Sequence, residues 1–227
     1  MSNKHLAIVI AGAAALLFMM WLANYHLVAF ITLIVLAIIG AVAWALRDEI
    51  LDRIVGPRKD FFIADTHFSN TGITCRSRGF NSADEMNETL IRFWNKTVSS
   101  RDTVYVIGDF AEGCHPEEWR RKLNRKLVLI AGNHDKGQWK RSYEYMDVTV
   151  NNIPILLVHN PDYTPGNWSG WVMHGHWHDS PFIDRSRRMI CASIEAIGLR
   201  PISAEQLSEA IRGGLGCSGT IVQRFNV

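Results

Sequence analysis

The sequence predicts an α/β catalytic domain preceded by two transmembrane helices. Three observations carry that expectation. Residues from about Leu6 to Leu46 are almost wholly apolar, whereas the rest of the 227-residue chain has an ordinary soluble composition. After Gly56-Pro57, short apolar runs alternate with capped helical segments, the pattern of an α/β fold. Polar words rich in Asp, His and Asn follow those runs, where strands end.

Leu6 to Ala23 is one apolar run and Leu27 to Leu46 a second, broken only by Asn24, Tyr25 and His26. One helix through both would be about 60 Å long. The hydrocarbon core of a bilayer is about 30 Å thick, so a two-helix hairpin over residues 1–46 is expected. Small residues around Gly12 and Gly40 suit close helix contact, within the hairpin or between chains of a homo-oligomer. Lys4 precedes the first run, and Arg47, Arg53, Arg58 and Lys59 follow the second. The positive-inside bias then puts both termini and the catalytic domain on the cytoplasmic side of an integral membrane protein. Two alternatives are a cleaved signal peptide and a buried helical hairpin. Phe18, Met19, Met20 and Trp21 make a poor cleavage site, and neither run shows a solvent face. Residues 47–60 form a juxtamembrane linker. Ile50, Leu51, Ile54 and Val55 are spaced for an amphipathic helix at the bilayer surface, or for the second helix leaving the lipid. Gly56-Pro57 stops any helix.

The domain over 61–227 starts with a buried-strand run, Phe61 to Ala64. Ser82 with Glu85 reads as a capping box for a helix to about Val98. Thr103 to Ile107 is a β-branched strand, and Pro116 opens a helix through Leu123. Further strands are expected at Leu127 to Ala131, Ile155 to Val158, Trp171 to His174 and Met189 to Ile194. Ser203 with Gln206 starts a last helix to about Ile211, and Thr220 to Val222 reads as an edge strand or a loose tail. Cys75, Cys114, Cys191 and Cys217 form no CxxC pair, and free thiols are expected.

Ligands gather at the carboxyl ends of strands in open α/β sheets. The words there are Asp65-Thr66-His67, Gly108-Asp109, Gly132-Asn133-His134-Asp135, His159 and Gly175-His176-Trp177-His178. Asp65 and His67, and again His176 and His178, point the same way if strand geometry continues through them. Carboxylate, imidazole and amide oxygen bind divalent metals and leave positions open for a phosphate. An imidazole-rich set favours Mn, Fe or Zn over Mg or Ca. An acidic bridge can hold two cations about 3.5–4 Å apart.

In that order, DxH, GD, GNHD, a lone His and GHxH resemble the calcineurin-like metallophosphoesterase superfamily over about Phe61 to Leu207. Asp65-Thr66-His67-Phe68 with Arg78-Gly79-Phe80, Glu85-Met86-Asn87 and Trp94-Asn95 is similar to its small bacterial, archaeal and phage branch. The resemblance implies a double β-sandwich flanked by helices. It also implies two divalent ions, Mn²⁺ first, with Fe, Zn or Co as alternatives. Asp65, His67 and His178 would hold one ion and Asn133, His159 and His176 the other, with Asp109 bridging. His134 would face the substrate as a catalytic group, and Asp135 would orient His134 or its loop. Metal-activated hydroxide would then cleave a phosphate ester or anhydride.

Three further residues are candidates for substrate contact: Arg76 and Arg78, where a loop could reach phosphate, and Trp177 as an apolar wall. His174, inside a strand, is expected behind the ligands. Tethering favours a lipid-linked substrate at the bilayer. Soluble nucleotides or cyclic nucleotides are the rival class, and a membrane scaffold with a structural metal site is the non-enzymatic alternative. A formal charge of +2 gives no strong nucleic-acid signal. The longer GDxxDRG and GNHE words of protein serine/threonine phosphatases are absent, which argues against phosphoprotein substrates. His134 stands where UDP-diacylglucosamine pyrophosphatases usually carry Arg, which weakens that role without excluding it.

Overall fold

A computed structural model describes residues 3–113, 115–124, 126–135, 139 and 141–213. The chain divides into two compact units, Met1–Pro57 and Arg58–Val227.

The first unit corrects the expected hairpin. Helix α1 runs unbroken over Asn3–Ala45, through Asn24, Tyr25 and His26. These three residues include neither Gly nor Pro, and their helix propensities fall only a few tenths of a kcal/mol below those of their neighbours. Rings stack across the expected turn, Phe18 on Trp21 and Trp21 on Tyr25, each with centroids 5.9 Å apart. Gly12–Ala45 is long and apolar enough to cross a membrane, and its side chains stand in the open. At 1.5 Å per residue the 43-residue helix is about 65 Å long, roughly twice a hydrocarbon core. Helix α2 follows over Arg47–Val55, with Ile50 and Ile54 exposed, and Gly56 ends it at φ 90°.

The second unit is mixed α/β. In one sheet β1 (Asp60–Ile63), β2 (Thr103–Ile107) and β3 (Lys126–Ile130) run parallel, and β1 pairs antiparallel with β9 (Ile202–Ser203), in the order β3-β2-β1-β9. The other sheet has the order β4-β5-β6-β8-β7. Its centre is parallel: β5 (Ile153–Val158), β6 (Trp171–His174) and β8 (Met189–Cys191). Its edges, β4 (Tyr145–Val150) and β7 (Ile183–Asp184), are antiparallel. Phe62, Ile63, Ile107, Ile130, Ile155, Leu157 and Met173 from these strands fill a buried core with Trp94.

Among the described residues the unit also has the α-helices α3 (Ile73–Ser77), α4 (Ala83–Thr97), α5 (Pro116–Lys122), α6 (Ile194–Ile197) and α7 (Ala204–Arg212). Ser82 caps α4 by accepting from the Glu85 amide at 3.1 Å. The Glu85 carboxylate accepts from the Asn81 amide at 2.9 Å, so only half of the expected box forms there. Ser203 and Gln206 form the full reciprocal box on α7.

The strand expectations change at β8, which is shorter than expected, and at β4, β7 and β9, which were not anticipated. Strand β8 ends at Cys191, and α6 starts at Ile194 within the run expected to be extended. Strand β4 was not anticipated; it hairpins into β5 through Asn151 and Asn152, whose φ values of 48° and 67° suit a two-residue turn. Cys75 and Cys191 are free and buried, as expected of thiols, while Cys114, Cys217 and the run Thr220 to Val222 lie outside the described residues. The two sheets meet at their carboxyl ends, where the Ala64 amide donates to the Ala192 carbonyl at 2.7 Å.

Candidate metal centre

Every ligand-type side chain expected from the sequence follows a strand end at this junction. Asp65 follows β1, Asp109 follows β2, Asn133 and His134 follow β3, His159 follows β5, and His176 and His178 follow β6. Extended geometry does not continue into them. Asp65, His67, Asp109 and His176 have left-handed backbones, with φ of 57°, 47°, 52° and 63°. Such conformations are strained for non-glycine residues and persist only where surroundings enforce them. Here they are enforced by amide bonds: Asp65 N–H to the Gly108 carbonyl and His67 N–H to the Asp109 carbonyl, both 3.0 Å.

Close approach explains two of the glycines. A Cβ on Gly108, which sits at φ 80°, would lie 2.2 Å from Nδ1 of His159. A Cβ on Gly132 would lie 2.2 Å from Oδ1 of Asp109. Neither neighbour can retreat, because both are buried among other ligands.

Asp109 is the hub. Its Oδ2 lies 3.3 Å from His159 Nε2, 3.7 Å from His67 Nε2 and 4.0 Å from His134 Nε2. Its Oδ1 accepts from the His134 amide at 2.9 Å. Donor atoms of Asp65, His67 and His178 all lie within 4.8 Å of one another, as do those of Asp65, Asp109 and His159. On the other side, Asn133 Oδ1 lies 3.0 Å from His159 Nε2 and 3.1 Å from His176 Nδ1. Donors about 2.1 Å from one cation and at roughly right angles stand about 3 Å apart, so these spacings suit shared metal ligation.

The electrostatics agree. Burial pushes the Asp109 carboxyl up, but the hydrogen bond and charge of His159, the His134 amide and His67 outweigh it, leaving a pKa of about 2. Burial alone would lower His159; its hydrogen bond to Asp109, with the charges of Asp109 and Asp65, raises it instead. Burial lowers His67, which keeps its ring neutral and fit to bind a cation.

Partners not anticipated from the sequence fix the imidazoles. His67 Nδ1 donates to Glu112 at 2.8 Å, His178 Nδ1 to Glu195 at 2.8 Å, and His159 Nδ1 to the Ile107 carbonyl at 3.0 Å. Each bond selects the tautomer that leaves Nε2 free for an ion. Glu112 also faces His134 Nδ1 at 3.2 Å. The Ser193 hydroxyl donates to Asp65. A carboxylate three residues after Asp109 was a readable signal for Glu112; nothing local marked Glu195.

Two expected roles change, those of Arg78 and Trp177. Arg78 is no substrate contact: its side chain is 2 % exposed and its guanidinium donates to Glu195 and to the carbonyls of Asp65 and Thr66. A buried fork satisfied in this way braces the ligand loop. Asp135 accepts from the amides of Asp109, Gly132 and Phe110 at 2.7, 2.9 and 3.1 Å, so it holds the loop of His134 and the backbone beneath Asp109, one of the two roles expected of it. Trp177 packs edge-on against His174, centroids 5.5 Å apart, and is not among the described residues lining either cleft described below. Arg76 is exposed on α3. His174 sits behind the ligands as expected, donating from Nδ1 to the Gly175 carbonyl at 2.7 Å. His134, in contrast to the buried ligands, has 43 % of its side chain exposed.

Two clefts flank the cluster. One of about 810 Å³ opens beside Asn133, His159 and His176 and is lined further by Ser142, Glu144, Tyr145, Asn160 and Tyr163. A smaller one of about 370 Å³ opens beside His178 and Glu195.

Residues 61–201 match the family model described as Calcineurin-like phosphoesterase. A protein of Methanocaldococcus jannaschii is 39 % identical over 171 residues, covering 69 % of this chain and 93 % of its own length. The gene 66 protein of Mycobacterium phage L5 is 22 % identical over 193 residues, covering 66 % of this chain and 93 % of itself. A crystal structure of a protein of unknown function from Aquifex aeolicus superposes with a TM-score of 0.53 at 23 % identity, covering 68 % of this chain and all of that one.

Proposed function

The chain belongs to the calcineurin-like phosphoesterase family, a family of metal-dependent phosphoester hydrolases, and from that premise we propose that it is a membrane-anchored, dinuclear phosphodiesterase or phosphohydrolase. One observation carries the reading: a single buried carboxylate, Asp109, stands within 4.0 Å of three imidazole nitrogens, with a donor trio on either side. Asp65, His67 and His178 would hold one cation, Asn133, His159 and His176 the other, and Asp109 would bridge. The mixed nitrogen and oxygen donors suit Mn²⁺, with Fe, Zn or Co as alternatives.

When bound, such a pair supplies an acidified water as nucleophile and neutralises charge on the phosphoryl oxygens. The protein supplies the rest. His134, exposed at the rim and held at Nδ1 by Glu112, presents Nε2 to the departing oxygen and donates a proton to it. Glu112 and Glu195 hold the rings in register, and Asp135 keeps the amides beneath Asp109 from shifting. The apolar length of α1 supports anchoring in a bilayer, and tethering favours substrates presented at the membrane surface, lipid-linked phosphates among them.

The test is direct. Protein purified in detergent should carry divalent metal by elemental analysis and cleave bis(p-nitrophenyl) phosphate once loaded with Mn²⁺. His134→Ala should keep the metal content while turnover falls at least about 100-fold. Silence across Mn²⁺, Fe²⁺, Zn²⁺ and Co²⁺ would leave a scaffold with a structural metal site.

A further inference from the structure

We infer that the larger cleft is a nucleoside pocket, built around Tyr145 and Tyr163, for one arm of the phosphodiester whose phosphate lies on the metal cluster. The inference rests on the reading above and deepens it by naming the substrate class. Position is the first observation. The cleft begins at Asn133, His159 and His176, the proposed ligands of one cation, so a group in it is one bond away from a phosphate on the metals.

Its chemistry is the second observation. Strand β4 puts Tyr145 directly opposite Val158, the residue before His159. The 3₁₀ turn Pro161–Tyr163 ends on Tyr163 in the same cleft. The two side chains are 53 % and 76 % exposed, a large aromatic area with no packing duty in the core. Aromatic platforms of this kind stack on bases. In the same cleft the Asn160 side chain is fixed by its Oδ1, which accepts from the Asp162 amide at 3.0 Å and leaves the amide NH₂ to donate. A fixed donor beside aromatic surface suits an acceptor on a base edge. An acyl chain would need a continuous apolar wall, and Ala131 and Val158 are the cleft's only aliphatic lining among the described residues. At about 810 Å³ the space is ample for a nucleoside.

Three p-nitrophenyl phosphodiesters with one leaving group separate the choices: the thymidine 5′-ester, the methyl ester and the dodecyl ester. In each, hydroxide forms a new P–O bond, the bond to p-nitrophenolate breaks, and the other arm stays on phosphorus. With full-length Mn²⁺-loaded protein in detergent, kcat/KM for the thymidine ester should exceed that for the methyl ester at least about tenfold, chiefly through KM. Tyr163→Ala and Tyr145→Ala should each pull that ratio toward one, and Tyr163→Phe should restore it. A ratio near one in the unaltered protein, a preference for the dodecyl ester, or a ratio indifferent to both alanines would overturn the nucleoside pocket while leaving the phosphodiesterase standing. No turnover of any ester would take both down.

Discussion

The apolar helix and the metal centre invert the usual arrangement of a folded chain in opposite senses. Along α1, Leu16, Leu33 and Trp44 are 66 %, 67 % and 77 % exposed. At the strand junction, Asp65, His67, Asp109 and His159 are at most 4 % exposed. Burying charge is costly unless it is paired or coordinates a metal, and exposing a long apolar surface is costly unless lipid covers it. Each inversion fits the environment proposed for its residues: hydrocarbon for one, cations for the other.

Changes that undo one inversion should spare the other. The largest expected effect is on the helix. Ile34→Arg with Ile38→Arg puts two charges on one face, at about 3 kcal/mol each in a bilayer, and should move the protein out of the alkali-resistant membrane pellet. Next is Asp109→Asn, which removes the bridging charge. Turnover should fall at least about 1000-fold, roughly 4 kcal/mol, with membrane partition unaltered.

Glycines make the contrast within a single residue type. Gly108→Ala forces a Cβ against His159 at φ 80° and should cost about 3 kcal/mol, read as a lowered Tm. Gly12→Ala meets nothing within 4 Å and should change stability by less than about 1 kcal/mol, in the favourable direction. Glu195→Gln should weaken metal binding about 10- to 100-fold by loosening His178, measured by titration with a competing chelator.

A separate effect is an acid limb. Asp109, depressed to about 2 from an ordinary 3.8, contributes stability that is full above pH 3.8 and disappears as pH falls toward 2. Chelator-treated protein followed by circular dichroism should lose structure in that window, and Asp109→Asn should flatten the dependence.

The same contrast explains what the sequence disclosed. Apolar strands followed at once by Asp, His or Asn are local words, so the candidate ligands and the strands that carry them were legible. The braces were not. Arg78 and Glu195 stand 117 residues apart, and only the stitch between β1 and β8 makes them neighbours. Strand β4 alternates regularly, with Met146, Val148 and Val150 turned inward and Tyr145, Asp147 and Thr149 exposed, so that period and the Asn151-Asn152 turn before β5 were both readable signals. The α1 break failed for a physical reason: three polar residues lower helix propensity too little to stop a helix that no Gly or Pro interrupts there.

The left-handed backbones at Asp65, His67, Asp109 and His176 set an order of events. No isolated loop of such residues would choose that conformation while the polypeptide is still being made. The turns at Asp65 and His67 close within one sheet, on the Gly108 and Asp109 carbonyls after β2, whereas the His176 amide needs the second sheet beside the Asp65 carboxylate. A cation would then enter a pocket that the polypeptide has already shaped, unlike zinc in a finger, which seeds its own fold.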